Sequence, residues 1–361
     1  MKHLEEYRDK ARCDALLQAI EAASTRPWTL MEICGGQTHS LIRNGIPALL
    51  PDPIRLVHGP GSPVCVTPPT LIDQAIALAF QPGVLLCTFG DMMRVPGTTI
   101  SLQTARSQGA AVQMVYSPLE AVRLAQQTPE RKIVFFAVGF ETTAPANALA
   151  VMQAHLQHID NFSILSSHVL VPPAMTALLE DPTCVVDGFL AAGHVCTIMG
   201  QQVYRQLAAD YKIPIVITGF EPVDLLQGIL LCVEQLEKGT WKVENQYERM
   251  VHQDGNAAAR ELMEQVYTTV DRDWRGLGRI PQSGLALKAP FDRYDAALLF
   301  DVQEQPYVDH SGCRAGSVLK GSLSPTACPL FGKSCTPEHP IGAPMVSSEG
   351  ACAAYYYFNN N

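Results

Sequence analysis

Between about residues 30 and 230, short apolar runs alternate with stretches whose apolar residues recur at helical spacing. The runs are Ile54–His58, Val84–Phe89, Lys132–Val138, Phe162–Ser166, Gly188–Ala192 and Pro214–Thr218, rich in Val, Ile, Leu or Phe. Between them, Thr70–Ala79, Leu119–Gln126 and Pro145–His158 carry the helical pattern. Strand, polar turn and helix in repetition predict βαβ units and a parallel sheet. In such sheets function collects in the loops at the carboxyl ends of the strands. Those loops read Thr-Phe-Gly-Asp (88–91), Gly-Phe-Glu-Thr-Thr (139–143), Ser-Ser-His (166–168), Gly-His-Val-Cys (193–196) and Gly-Phe-Glu-Pro (219–222). Gly-Phe-Glu occurs twice after an apolar strand, a faint mark of internal duplication. The expected fold class is α/β: two similar parallel-sheet lobes around a cleft. The first lobe is placed at 1–128, with the Cys34 and Cys65 loops, and the second at 129–250, with the Gly-Phe-Glu loops.

After about Gln235 the pattern changes. Gly255–Val270 is predicted as a helix, and the stretch from Trp274 to Pro281 is turn-rich. Beyond Asp309 the chain is rich in Gly, Pro, Ser and Cys, with little apolar surface to bury. A bound metal is the usual remedy for such a segment. Residues 251–361 are therefore expected to form a third, Cys-rich domain.

Composition narrows the function classes. A chain of 361 residues suggests two or three domains, and 47% hydrophobic residues suffice for packed cores. No apolar run approaches the roughly 18–20 residues of a membrane span. The first residues, Met1 to Lys10, are charged and lack the apolar core of a signal peptide. A soluble, cytoplasmic protein with no membrane partner is expected. The net charge of −9, without any basic run, argues against a nucleic-acid ligand. Eleven cysteines, an odd number without a secretion signal, argue against a disulfide framework.

Three constellations carry candidate chemistry. In Glu32-Ile-Cys-Gly-Gly-Gln-Thr-His39, two glycines allow close backbone approach beside the Cys34 thiol. If a helix starts there, its amides are expected to lower the thiol pKa. A buried structural cysteine at a tight turn is the bland alternative. In His58-Gly-Pro-Gly-Ser-Pro-Val-Cys-Val-Thr-Pro68, prolines and glycines stiffen a loop carrying Cys65, a second candidate thiol three residues after Ser62. Last come Cys313, Cys328, Cys335 and Cys352, spaced unlike common zinc ribbons or ferredoxins. Four thiolates can hold zinc or an iron–sulfur cluster, and small core cysteines are the alternative. Glu141 and Glu221 are candidate bases, ligand-orienting groups or helix-start charges. His168 and His194 are candidate ligands, though loop histidines more often serve as hydrogen-bonded supports. The phosphate-loop, dinucleotide and nucleophile-elbow signatures are absent from the sequence.

Together these residues resemble the HypD family of hydrogenase maturation proteins. The resemblance rests on Cys-Gly-Gly-x-Thr-His at 34–39, Gly-Pro-Gly-x-Pro-Val-Cys at 59–65 and Thr-Phe-Gly-Asp-x-x-Arg-Val-Pro-Gly at 88–97. It continues through Gly-Phe-Glu-Thr-Thr at 139–143, Gly-Phe-Glu-Pro-x-Asp-Leu-Leu-Gln-Gly at 219–228 and Val-Glu-Asn-Gln-Tyr at 243–247. Trp-Arg-Gly-Leu-Gly at 274–278 and Ser-Ser-Glu-Gly-Ala-Cys at 347–352 extend it over nearly the whole chain.

The resemblance implies a scaffold on which the Fe(CN)2CO unit of nickel–iron hydrogenase is assembled. That is a metal-cofactor assembly role with redox activity rather than classical enzyme turnover. It implies a HypC-type chaperone as partner, cyanide delivered by HypE and HypF, and a 4Fe-4S cluster in the third domain. By position, Cys313, Cys328, Cys335 and Cys352 would hold the cluster. Cys34 would be the principal iron-holding thiol, with Cys65 as a second, and His39, Glu141 and Thr142 would line the cleft. Two departures stand out. Gln37 replaces the family's usual His, and Ser62 replaces the first Cys of Gly-Pro-Gly-Cys-Pro-Val-Cys. A serine cannot close a disulfide with Cys65, so a dithiol relay through this loop is in question. The rival reading is a thiol-dependent α/β enzyme with a structural zinc on the C-terminal cysteines. There Cys34 or Cys65 would be nucleophile and His39 or His168 base.

Overall fold

The computed structural model of the protein describes residues 5–300 and 312–358. Two parallel sheets carry the fold. The first contains β1 (Trp28–Glu32), β2 (Ile54–His58), β7 (Gly188–Ala192), β8 (Ile215–Thr218) and β9 (Val243–Asn245), in the order β2-β1-β7-β8-β9. The second contains β3 (Val84–Thr88), β4 (Val112–Met114), β5 (Lys132–Gly139) and β6 (Phe162–His168), in the order β4-β3-β5-β6. Helices cover the sheets, and the central strands are buried along their length, as βαβ packing requires. Each predicted run is a strand, with ends shifted by a residue or two.

The lobes do not follow the chain as expected. Boundaries at 128 and 250 would place β1, β2, β3 and β4 together. Instead β1 pairs with β7, Leu30 beside Gly188, so the five-stranded lobe is built from two separated pieces of chain. The four-stranded lobe, 84–168, is inserted between them. Nearest-neighbour reading misses this because the β1–β7 ladder is non-local.

The predicted helix at 255–270 is also corrected. A helix spans Ala257–Val266, and the chain then turns into β10 (Tyr267–Trp274). β10 pairs antiparallel with β11 (Gly278–Leu287). This hairpin belongs to the inserted lobe: Tyr267, Leu285 and Leu287 join its core with Phe135 and Phe162. Residues 251–300 are thus part of the two lobes' framework rather than of a separate domain. The C-terminal residues 312–358 form short turns and the helix Ala351–Phe358, which rests against the helix Gly35–Arg43. Part of the third expected domain, residues 301–311, lies outside the described residues. Among the described residues, no helix is long and apolar enough to cross a membrane.

Candidate functional site

The carboxyl ends of β1 and β2 lie side by side, Glu32 opposite His58, and this register builds the site. Glu32 is fully buried, and its carboxylate gathers three donors. Oε2 accepts from the Cys34 amide at 2.9 Å, while Oε1 accepts from the Thr38 hydroxyl and from His58 Nδ1, the latter at 2.7 Å. The far nitrogen of the same ring, Nε2, lies 3.2 Å from the Tyr355 hydroxyl of the C-terminal helix. A proton on Nδ1 leaves Nε2 to accept from Tyr355, so one tautomer satisfies both contacts. The Cys34 loop is thereby tied to the C-terminal segment.

Cys34 caps the helix Gly35–Arg43, and loop 59–62 lies across its backbone. The Gly35 amide donates to the Gly61 carbonyl at 2.8 Å. A Cβ at Gly61 would sit 2.2 Å from the Cys34 nitrogen, and one at Gly35 2.8 Å from Glu349 Cβ. The glycines are therefore required for close approach of three chain segments. Gly61→Ala is expected to cost about 1–3 kcal/mol through overpacking against backbone that cannot give way. Urea denaturation of that variant beside the wild type measures it; equal midpoints would contradict the packing argument.

Cys34 is half-buried, and the amides of Gly36 and Gln37 donate toward its sulfur. The expected lowering of its pKa does not occur. Loss of hydration dominates and, with the negative charges of Glu32 and Glu349, pushes the thiol up to about 12. Two amides at a helix start are too weak to offset desolvation. Gln37 donates to the Ala191 carbonyl at 3.1 Å and to Thr218 Oγ1 at 2.6 Å, locking this helix onto β7 and β8.

Cys65 is buried in the helical turn Pro63–Val66. Burial pushes its thiol up to about 12 against a hydrogen bond from Ser62 that favours the thiolate. The Ser62 hydroxyl is thus a hydrogen-bond partner of Cys65. Arg275 fixes this turn, its amide donating to the Val66 carbonyl at 2.7 Å and its guanidinium to the Pro96 carbonyl at 2.9 Å.

The C-terminal segment closes the site from the other side. Arg94 donates to the Val346 carbonyl at 2.9 Å, and Ser347 Oγ donates to Asp91 at 3.1 Å. His39 Nδ1 lies 3.2 Å from the Ser348 carbonyl, and its ring meets Phe358 edge-on. These contacts place Glu349 over Gly35, where its charge reaches Cys34 and Cys65. Glu349 and Glu32 were not singled out from the sequence. The Ser-Ser-Glu-Gly-Ala-Cys motif contained the signal for the first, and Glu32 stood at the head of the Cys34 motif.

Cys313, Cys328, Cys335 and Cys352 all line one pocket, with Gly342, Pro344 and Phe331 among its walls. A Cβ at Gly342 would lie 2.5 Å from Cys313 Sγ, and Cys335 Sγ accepts from the Ile341 amide at 3.4 Å. The Cys352 thiol is raised by burial and then by the charges of the other three cysteines and of Cys65. Among the described residues, no three His, Cys, Asp or Glu side chains are grouped closely enough for a single metal ion. Four thiols around one shared space are a donor set that could hold a metal group.

Other candidates fall elsewhere. Glu141 is buried at the end of β5 and lines a different cavity, which neither Cys34 nor Cys65 borders. Thr142 is exposed beside it. Glu221 caps the helix Pro222–Lys238 and pairs with Arg8. His168 is buried, receives Asn147 Nδ2 at 2.9 Å and has its pKa lowered by burial to about 3, the behaviour of a neutral support. His194 stacks on Phe220 at 3.9 Å, and a Cβ at Gly36 would lie 3.2 Å from that Phe220 ring.

The profile of the HypD family, described as "Hydrogenase formation hypA family", matches residues 11–359. The chain belongs to the HypD family. It is 47% identical to a protein of Azotobacter vinelandii named "Hydrogenase maturation factor HypD", over 99% of this chain and 97% of that one. A protein of the same name from Escherichia coli strain K12 is 43% identical, over 99% and 98%. "Hydrogenase expression/formation protein HupD" of Azotobacter chroococcum mcd 1 is 46% identical, over 99% and 97%. The family resemblance read from the motifs at Cys34, Cys65, Gly139 and Gly219 is therefore correct over nearly the whole chain.

Proposed function

We propose that this HypD family member is a hydrogenase maturation factor on which the Fe(CN)2CO unit is assembled. One observation carries the reading. Glu349 lies within electrostatic reach of both Cys34 and Cys65, and Cys65 in turn within reach of Cys352 in the four-cysteine pocket. Thiolate sulfur suits low-valent iron bearing cyanide and carbon monoxide.

In this reading Cys34 holds the incoming iron as substrate, together with a donor from a HypC-type partner. Cyanide arrives from HypE and HypF. The high thiol pKa means that Cys34 waits protonated and gives up its proton as the metal binds. The amides of Gly36 and Gln37 then stabilise the new thiolate. Glu32 keeps the loop in register through the Cys34 amide. Cys313, Cys328, Cys335 and Cys352 would hold a 4Fe-4S cluster, which supplies electron-transfer capacity when bound. Ser62 leaves Cys65 as a single thiol, so reducing equivalents cannot be stored as a disulfide within this loop. Glu141 lines a different cavity and Thr142 is exposed beside it, so the iron-holding role rests on Cys34, Cys65, His39 and Glu349.

The test is anaerobic purification with the HypC-type partner, metal and sulfide analysis, and infrared spectroscopy. About four iron and four sulfide per chain are expected beyond the substrate iron. Cys34→Ala should abolish the cyanide and carbon monoxide bands while leaving that iron and sulfide in place. Bands that persist in Cys34→Ala overturn the assignment. About one zinc and no sulfide would favour the thiol enzyme with a structural zinc.

A further inference from the structure

A cavity of about 750 Å³ opens between the helices Val171–Glu180 and Gln202–Tyr211 and the strand β11. That volume is typical of sites for small organic ligands. Its walls are mainly apolar: Pro172, Ala177, Met199 and Leu207 contribute. Glu141 also lines it, 1% exposed. One oxygen of this carboxyl, Oε1, accepts from the Val171 amide at 2.9 Å. The other, Oε2, is buried and has no hydrogen-bond partner among the described residues.

A buried carboxyl oxygen without a donor is costly, so a native structure that keeps one calls for a partner from outside. The lining says which kind. Glu180 and Asp210 add two further carboxyl groups, and no Lys, Arg or His lies among the described lining residues. Such a field repels anions and favours a cation. The apolar walls favour a hydrophobic body behind the charge.

We propose that this cavity binds a small organic cation, an apolar-bodied primary amine whose ammonium group donates to Glu141 Oε2. The site is separate from the Cys34 region and does not depend on the maturation role. Its walls come from both lobes: Glu141 follows β5 of the inserted lobe, Leu207 packs in the core that includes β7 and β8, and Met199 packs against both cores. A bound amine would therefore bridge them.

The experiment uses the full chain and benzylamine as probe, with benzyl alcohol and benzoate as neutral and anionic controls, followed by calorimetric titration at pH 8. Benzylamine is expected to bind with Kd on the order of 1 mM, as suits a ligand of so few atoms. Benzyl alcohol and benzoate should bind at least about tenfold more weakly, the loss expected when a charged hydrogen bond is removed. Glu141→Gln should weaken benzylamine by a similar factor, and Ala177→Trp should remove binding by filling the space. Circular dichroism checks that both variants fold; if Glu141→Gln does not, Ala177→Trp and the two control ligands decide. No binding of benzylamine, equal binding of the three probes, or unchanged binding in a folded variant would each overturn the proposal.

Discussion

Glu32→Ala is expected to lower the stability of the protein by about 3–5 kcal/mol, the range seen when one partner of a buried polar pair is removed. The argument rests on what is left behind. His58 Nδ1 is buried and loses its acceptor, and the buried Thr38 hydroxyl keeps only the Cys34 carbonyl at 3.3 Å. The Cys34 amide loses its acceptor as well. Each orphaned donor costs about 1–3 kcal/mol, and the space left by the side chain adds to the loss. Glu32→Gln should fall between wild type and Ala, because one amide oxygen still accepts but its nitrogen faces a donor. Urea denaturation of the three proteins measures the series. The same variants should loosen the C-terminal helix, since His58 connects Glu32 to Tyr355. Faster amide exchange around Ala351–Phe358 in Glu32→Ala is the accompanying sign. A loss below about 1 kcal/mol, without faster exchange, would show that this network is not what holds the Cys34 loop.

Glu141 supplies the second large effect, and it depends on pH. Burial raises its carboxyl pKa from an ordinary 4.5 to about 7, against hydrogen bonds from its own amide and that of Val171. Between those values the folded protein keeps a proton that the unfolded chain has released. Stability contributed by this group is thus complete below pH 4.5 and is lost as pH rises through about 7. The shift corresponds to roughly 3 kcal/mol. Glu141→Gln cannot ionise, so its stability should gain roughly 3 kcal/mol on the wild type between about pH 4 and pH 8. Denaturation midpoints across that range check this. Parallel pH curves for the two proteins would mean that Glu141 titrates normally.

Much of the framework was legible because a parallel strand buried on both faces writes itself as a local apolar run. Val84–Thr88 and Ile215–Thr218 are of this kind. β1 was harder, since it ends in Glu32, whose burial makes sense only once His58 stands beside it. β10 reads Tyr-Thr-Thr-Val-Asp-Arg-Asp-Trp, mostly polar, and its first four residues fall within the predicted helix because only the ends of the strand are buried. The lobe boundaries were not legible: nothing local in Leu30 announces a ladder with Gly188.

The site divides in the same way. Cys34 stood out because two glycines follow it, and the structure uses both for close approach by Glu349 and Phe220. The thiol's pKa could not be read from sequence, because desolvation depends on segments far along the chain. Loop 59–62 and residues 347–349 supply those surroundings. The family resemblance implies a place for Glu141 in the Cys34 cleft, which the structure does not give it. Its cavity is set by the helices Val171–Glu180 and Gln202–Tyr211, which the motif does not mention.

The split lobe sets a timetable for synthesis. The inserted four-stranded sheet is contiguous and can pair its strands before β7 is made, while the β10–β11 hairpin that completes its core follows later. β1 must wait for β7: Thr29 and its partner Asp187 are 158 residues apart. At ordinary elongation rates that wait lasts roughly 10–30 s. Throughout it, Cys34 follows a strand flanked by β2 alone, without the residues 347–349 that pack over it in the finished fold. The thiol on which the proposed iron chemistry depends is least shielded from solvent before the protein is complete.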